Sequence, residues 1–98
     1  MSRIMLITEF ELRAKDRDPF LAAANEHAKQ AEQSEPGCER FDVAADREDL
    51  GLGVLLVVYQ DEAALQAHRE TPHLAAFFEA ISAIDVRWRS GVYDLAGD

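Results

Sequence analysis

The run Leu52-Gly53-Val54-Leu55-Leu56-Val57-Val58-Tyr59-Gln60 is apolar at both parities of a β-strand. Successive strand side chains point to opposite faces of a sheet, so such a strand needs cover on both sides. The chain has 98 residues, which is the size of one domain. Helices from the same chain can cover one face of the sheet. In so short a chain, the other face calls for a second copy. A domain this small buries roughly 60–65% of its unfolded surface and is often marginal alone, so self-association would also help its stability. Residues 1–98 are therefore read as a single domain that pairs with itself.

The rest of the chain supplies the elements around that strand. Residues 3–12 alternate, with Ile4, Leu6, Thr8, Phe10 and Leu12 on one face and Met5, Ile7, Glu9 and Glu11 on the other. Asp18-Pro19 reads as a cap followed by proline at the first helical position, opening a helix to about Ser34. Its apolar stripe is Phe20, Ala24, His27, Ala28 and Ala31. Glu35-Pro36-Gly37 stops it, with Gly37 free to take a positive φ. Residues 38–45 alternate again, and Asp46-Arg47-Glu48-Asp49 forms a charged hairpin loop. After the apolar strand, residues 61–70 read as a short helix with Ala64, Leu65 and His68 inward. Thr71-Pro72 is a second cap-and-proline start, with a helix to about Ala83 and a stripe of Leu74, Phe77, Phe78, Ile81 and Ile84. Residues 85–95 close the chain as a strand, with Val86, Trp88, Ser90 and Val92 opposing Arg87, Arg89, Gly91 and Tyr93. The order strand, helix, strand, strand, helix pair, strand predicts an α+β ferredoxin-like plait. That fold is an antiparallel sheet with helices on one face. The uncovered face predicts a face-to-face homodimer.

Charge narrows the partners. Ten basic residues against nineteen acidic ones leave a net charge of −9. A chain this acidic is repelled by DNA, RNA and anionic membranes, so neither nucleic acid nor a membrane surface is expected. One cysteine, Cys38, makes no internal disulfide and no cysteine-rich zinc site. The N-terminal MSRIMLITEFELRAK breaks its apolar run at Glu9 and lacks a signal-peptide core, which reads as a cytoplasmic protein. No stretch approaches the length of a membrane span.

The stretch YQDEAALQAHRETPHLAAFF, residues 59–78, resembles the antibiotic-biosynthesis monooxygenases. The pieces that carry the resemblance are Tyr59, Asp61-Glu62, Ala64, His68, Thr71, Pro72-His73 and Phe77. To them is added Glu35-Pro36-Gly37-Cys38 followed by Arg40-Phe41-Asp42-Val43. The resemblance runs through nearly the whole chain and implies a dimeric α/β barrel. That family includes quinol and polyketide-anthrone oxygenases, an isomerase of a phosphorylated autoinducer and haem-degrading enzymes. The haem-degrading branch is not implied here. The first strand has Thr8 and no asparagine, His68 stands near the place of a helical tryptophan, and Phe77 or Phe78 replaces an iron-ligating histidine.

The chemistry-bearing candidates are few. The three histidines are His27, His68 and His73, and imidazole is the side chain suited to take and return a proton near neutral pH. His68 and His73 are five apart across the Thr71-Pro72 break, so both could reach one cavity or point apart. The familiar zinc helix spaces two histidines by four, and no third ligand is evident, so no metal site is expected. Phe41, Tyr59, Phe77, Phe78, Trp88 and Tyr93 divide between core and pocket wall, with Phe77 and Phe78 read as core and Tyr59 and Trp88 carrying a polar handle. Arg87 and Arg89 read as solvated or interface residues and Cys38 as a plain buried thiol. Gly51-Leu52-Gly53 is a hairpin exit, not a nucleotide loop, so no flavin, nicotinamide or other cofactor is expected.

The resemblance and these residues together point to a cofactor-independent monooxygenase acting on a small phenolic, quinol-like or polyketide substrate. In that reading His68 is the base, His73 or Tyr59 a hydrogen-bond donor, and His27, Phe41, Phe77 and Trp88 bind the substrate. Proton transfer without oxygen, as in the isomerase branch, would use the same base, with Arg40, Arg87 or Arg89 facing a phosphorylated substrate. A noncatalytic small-molecule-binding dimer is the third reading.

Overall fold

The computed structural model describes residues 3–97. The elements run β1 (Ile4–Glu11), α1 (Arg17–Ser34), β2 (Cys38–Ala45), β3 (Leu52–Tyr59), α2 (Glu62–Arg69), α3 (Pro72–Ala80) and β4 (Arg87–Asp94). The four strands form one antiparallel sheet in the order β2-β3-β1-β4. This is the ferredoxin-like α+β arrangement that the element order predicts.

Register decides which residues meet. Leu6 pairs with Val57 and Val92, Thr8 with Leu55 and Ser90, and Phe10 with Gly53 and Trp88. These residues share the face that carries the helices. The doubly apolar strand behaves accordingly: Leu55, Val57 and Tyr59 are buried in the core. On the opposite face Val54, Leu56 and Val58 stand beside Met5 and Ile7. Arg87 and Arg89 lie on that opposite face too, within 4.0 Å of Glu11 and Glu9.

All five residues of the α1 stripe, Phe20 to Ala31, are buried. Phe20 is wholly buried, its ring centroid 4.5 Å from that of Phe10 and 6.0 Å from that of Phe77. Burying a side chain of that size contributes about 1.5–3 kcal/mol. The start of α1 differs from the expected one. The helix opens at Arg17, after a 3₁₀ turn over Ala14–Asp16, so Asp18 lies within its first turn rather than capping it. A carboxylate there still complements the positive end of the helix dipole, and proline is tolerated in a first turn.

The caps of the other two helices are as the sequence reads. Asp61 accepts from the Ala64 amide at 2.9 Å, and Thr71 Oγ1 accepts from the Leu74 amide at 3.4 Å. The second helix of this pair ends at Ala80, three residues sooner than expected, and passes into a turn closed by Ile84 N–H to the Ile81 carbonyl at 2.9 Å. At Gly37 the structure corrects the sequence reading. No glycine has positive φ among the described residues. Gly37 is needed for space, because a Cβ there would run into the Ala64 methyl group. The turn after α1 thereby packs directly on α2.

Candidate functional site

The helices that cover the sheet are short on one side. α2 and α3 meet at the Thr71-Pro72 corner, and between them and the sheet lies a cavity of about 340 Å³. That is the small end of the ligand-pocket range of roughly 300–1,000 Å³. Leu6, Leu55 and Val57 line its sheet side, Phe41, Phe78 and Trp88 give it aromatic walls, and His27 and His68 border it from the helices. Phe78 is 51% exposed and Trp88 40% exposed. Phe78 is thus a wall and not the core residue expected from its stripe. Its ring stands 6.4 Å from that of Trp88 on the edge strand β4 and is left half exposed.

Polar groups are sparse in this hollow. Thr8 and Ser90, paired across β1 and β4, join their hydroxyls at 2.9 Å and line the cavity together. Arg69, at the end of α2, is the one Lys or Arg lining it among the described residues. Arg87, Arg89 and Arg40 do not line it, so the basic pocket that a phosphorylated substrate would need is not built from them.

The three histidines converge. The ring centroid of His27 lies 5.3 Å from that of His68 and 5.4 Å from that of His73, and those two are 5.9 Å apart. What joins His68 and His73 is Glu35. His68 Nδ1 stands 2.8 Å and 3.0 Å from its two carboxylate oxygens, and His73 Nε2 bonds to Oε2 of the same carboxylate. All three side chains are almost shut off from solvent, at 7% exposure for His68, 9% for Glu35 and 13% for His73. A carboxylate only accepts, so both rings donate to it. That fixes the neutral His68 tautomer with its proton on Nδ1 and a lone pair on Nε2, on a residue that borders the cavity.

Backbone structure holds these groups in place. Glu35 is the C-cap of α1, its N–H bonded to the Ala31 carbonyl at 3.0 Å, and Pro36 ends the helix behind it. His68 is in the last turn of α2, and the Thr71 hydroxyl donates to its carbonyl at 2.8 Å. His73 follows Pro72 in the first turn of α3.

His27 is in a different state. Its ring stacks on Phe77 at 4.8 Å and 11°, and Phe41 meets it edge-on at 5.2 Å. Its Nδ1 is buried with no hydrogen-bond partner among the described residues. Burial, with His68 and His73 close by, pushes this imidazole down to about 4, so it is neutral at pH 7. Together with Phe77 it separates the main cavity from a second hollow of about 220 Å³, which His73 also lines.

Five of the expected site residues therefore line the main cavity: His68, His27, Phe41, Phe77 and Trp88. His73 and Tyr59 do not. His73 has its Nε2 committed to Glu35. Tyr59 packs its ring 5.6 Å from that of His68, and its hydroxyl is buried without a hydrogen-bond partner among the described residues. Burial, with Cys38 and Glu35 nearby, raises the Tyr59 phenol well above its ordinary value. Cys38 is inert as expected, its thiol pushed up to about 11 by burial and the Glu35 carboxylate. Four residues of the site went unread in the sequence. Glu35 was taken for part of a turn, and Arg69 was passed over. Thr8 and Ser90 left a visible signal, each the lone hydroxyl on an otherwise apolar strand face.

The chain was compared with known proteins. The sequence profile of the family described as antibiotic biosynthesis monooxygenase matches residues 3–80. No curated protein matches the chain in sequence. Among solved structures, it is similar to a candidate antibiotic biosynthesis monooxygenase from Caulobacter crescentus CB15. The TM-score is 0.90 at 18% identity, over 97% of this chain and 91% of that one. A possible oxidoreductase from Bacteroides thetaiotaomicron VPI-5482 gives 0.88 at 20% identity, over 96% and 98%. SnoaB, a cofactor-independent oxygenase from Streptomyces nogalater, gives 0.80 at 16% identity, over 95% and 92%. At these identities the likeness is one of fold. The profile match spans most of the chain and closes the question that the cavity and its histidines raise: the protein belongs to the antibiotic biosynthesis monooxygenase family.

Proposed function

We propose that the protein is a cofactor-independent monooxygenase acting on a small phenolic, quinol-like or polyketide molecule. The observation that carries this reading is His68, tied through Nδ1 to Glu35 at 2.8 Å and bordering a largely apolar hollow. Ground-state oxygen is a triplet and reacts slowly with closed-shell molecules, but an electron-rich phenolate can give it an electron directly. The protein then has to supply a dry pocket, a base and donors for developing charge.

His68 Nε2 takes the phenol proton of a bound quinol. The phenolate passes one electron to oxygen, and the radical pair closes a carbon–oxygen bond at the neighbouring ring carbon. The resulting peroxide recovers the proton from His68. Loss of that carbon's hydrogen and of hydroxide across the O–O bond gives a new carbonyl and one water. One oxygen atom is thus retained in the product and the other leaves as water. The Thr8 and Ser90 hydroxyls are the cavity's donors for the oxyanion, and Phe41 and Trp88 clamp the ring. Tyr59 and His73 act from behind His68, holding its ring and its carboxylate.

The reading includes a homodimer. Met5, Ile7, Val54 and Leu56 form a partly exposed apolar sheet face that no helix among the described residues covers, and a second copy laid on it would bury them. Light scattering measures that state.

The test is oxygen uptake by chelator-treated protein given reduced quinones. Uptake above background that is lost in His68→Ala supports the reading. No uptake, or a His68→Ala variant equal to wild type, overturns it.

A further inference from the structure

We propose that Glu35, His68 and His73 form a binding site for one divalent transition-metal ion, held by a Glu35 carboxylate oxygen, His68 Nδ1 and His73 Nε2. The sequence argued against such a site because it offered two histidines at the wrong spacing and no third ligand. The fold supplies the third ligand from 33 residues upstream of His68. The three ligand atoms all lie within 4.8 Å of one another, and the side chains are nine-tenths or nearly so buried. Metal–ligand bonds of about 2.0–2.2 Å set ligand atoms roughly 3.0–3.5 Å apart. The present spacings bracket that range, so the Glu35 carboxylate has only to swing back from the two rings.

The ligands are also fixed at their roots. They come from the C-terminus of α1, the last turn of α2 and the first turn of α3, and the Thr71-Pro72 corner holds the last two in register. His27 packs beside the two ring ligands, its ring centroid 5.3 Å from that of His68 and 5.4 Å from that of His73, and is not a member of the ligand set. The donor set of two imidazoles and a carboxylate suits zinc, cobalt, nickel, iron or manganese and not calcium or magnesium. Three protein ligands leave a coordination position open.

This site goes beyond the oxygenase reading and competes with it. An ion on His68 Nδ1 moves the ring proton to Nε2, and the residue then donates into the cavity instead of accepting. The metal-loaded and metal-free proteins would differ in chemistry.

The experiment uses the full chain without a polyhistidine tag, freed of metal with a chelator. Cobalt(II) is titrated in and its visible d–d absorption followed, and zinc affinity is measured by competition with a chromogenic chelator. The expected result is one ion per chain, with His73→Gln and Glu35→Asp each weakening zinc at least tenfold. His27→Gln should stay within about threefold of wild type, and circular dichroism should confirm that each variant is folded. Absence of stoichiometric binding by the folded wild type overturns the proposal, and so does binding that survives both His73→Gln and Glu35→Asp. Neither readout involves oxygen, so a protein that binds zinc yet consumes no oxygen when metal-free supports the site and sinks the oxygenase reading alone.

Discussion

His68 Nδ1 lies 2.8 Å from Glu35 Oε2, joining the last turn of one helix to the end of another. The carboxylate fixes the tautomer and aim of the imidazole without touching the cavity itself. Replacing Glu35 by Gln keeps the shape but lets the amide donate where both rings also donate. The expected outcome is a fall of about 10–100-fold in the turnover rate of oxygen uptake, the size typical of lost orienting partners. KM should move little, because Glu35 does not line the cavity. Steady-state kinetics at saturating oxygen separate the two parameters.

Trp88, the chain's one tryptophan, is a wall of the main cavity. A planar aromatic ligand seated there should quench its fluorescence in a saturable way. Thr8→Leu fills the hollow from the sheet side and should abolish the quenching while the unliganded emission stays near that of wild type. Quenching that persists in Thr8→Leu would place the ligand elsewhere.

Gly37 packs against Ala64, so Gly37→Ala forces two methyl groups into one space. Overpacking of this kind costs about 1–3 kcal/mol. For a domain of this length each kcal/mol lowers Tm by roughly 4–8 °C. Ala64→Gly reopens the space, so the same change at Gly37 should cost much less in that background. A thermal-melting double-mutant cycle measures the coupling.

The buried Cys38 thiol gives the protein an alkaline limit. Its ionisation moves from the ordinary value of 9.0 to about 11 on folding. Between those values the unfolded chain has lost the proton and the folded chain has kept it. Stability is therefore full below pH 9 and declines as pH rises toward 11. The Tyr59 phenol, also raised, adds its own decline above its ordinary 10.0. Urea melts from pH 8 to 11 should show the fall beginning near pH 9 in wild type and about one unit later in Cys38→Ala.

The fold was legible because it is written in local signals. The period-two strands, the Thr71-Pro72 corner and the Phe20–Ala31 stripe are each readable within a few turns of chain. The site was half legible. His68 and His27 sat on apolar stripes, which marked them as buried and placed them by the cavity. Glu35 was not legible, because its role depends on where the end of one helix falls against two others, and a glutamate before a proline reads as a turn. Phe78 failed for the opposite reason. Its helical spacing is that of a core residue, but the ring stays half exposed as a wall of the cavity, 6.4 Å from that of Trp88.

The most direct measurement of the central claim is isotope incorporation. Chelator-treated protein turning over a reduced quinone under ¹⁸O₂ should place one labelled atom in each product molecule and the other in water, with no product under nitrogen. Product formed under nitrogen, or product carrying no label, would contradict the account.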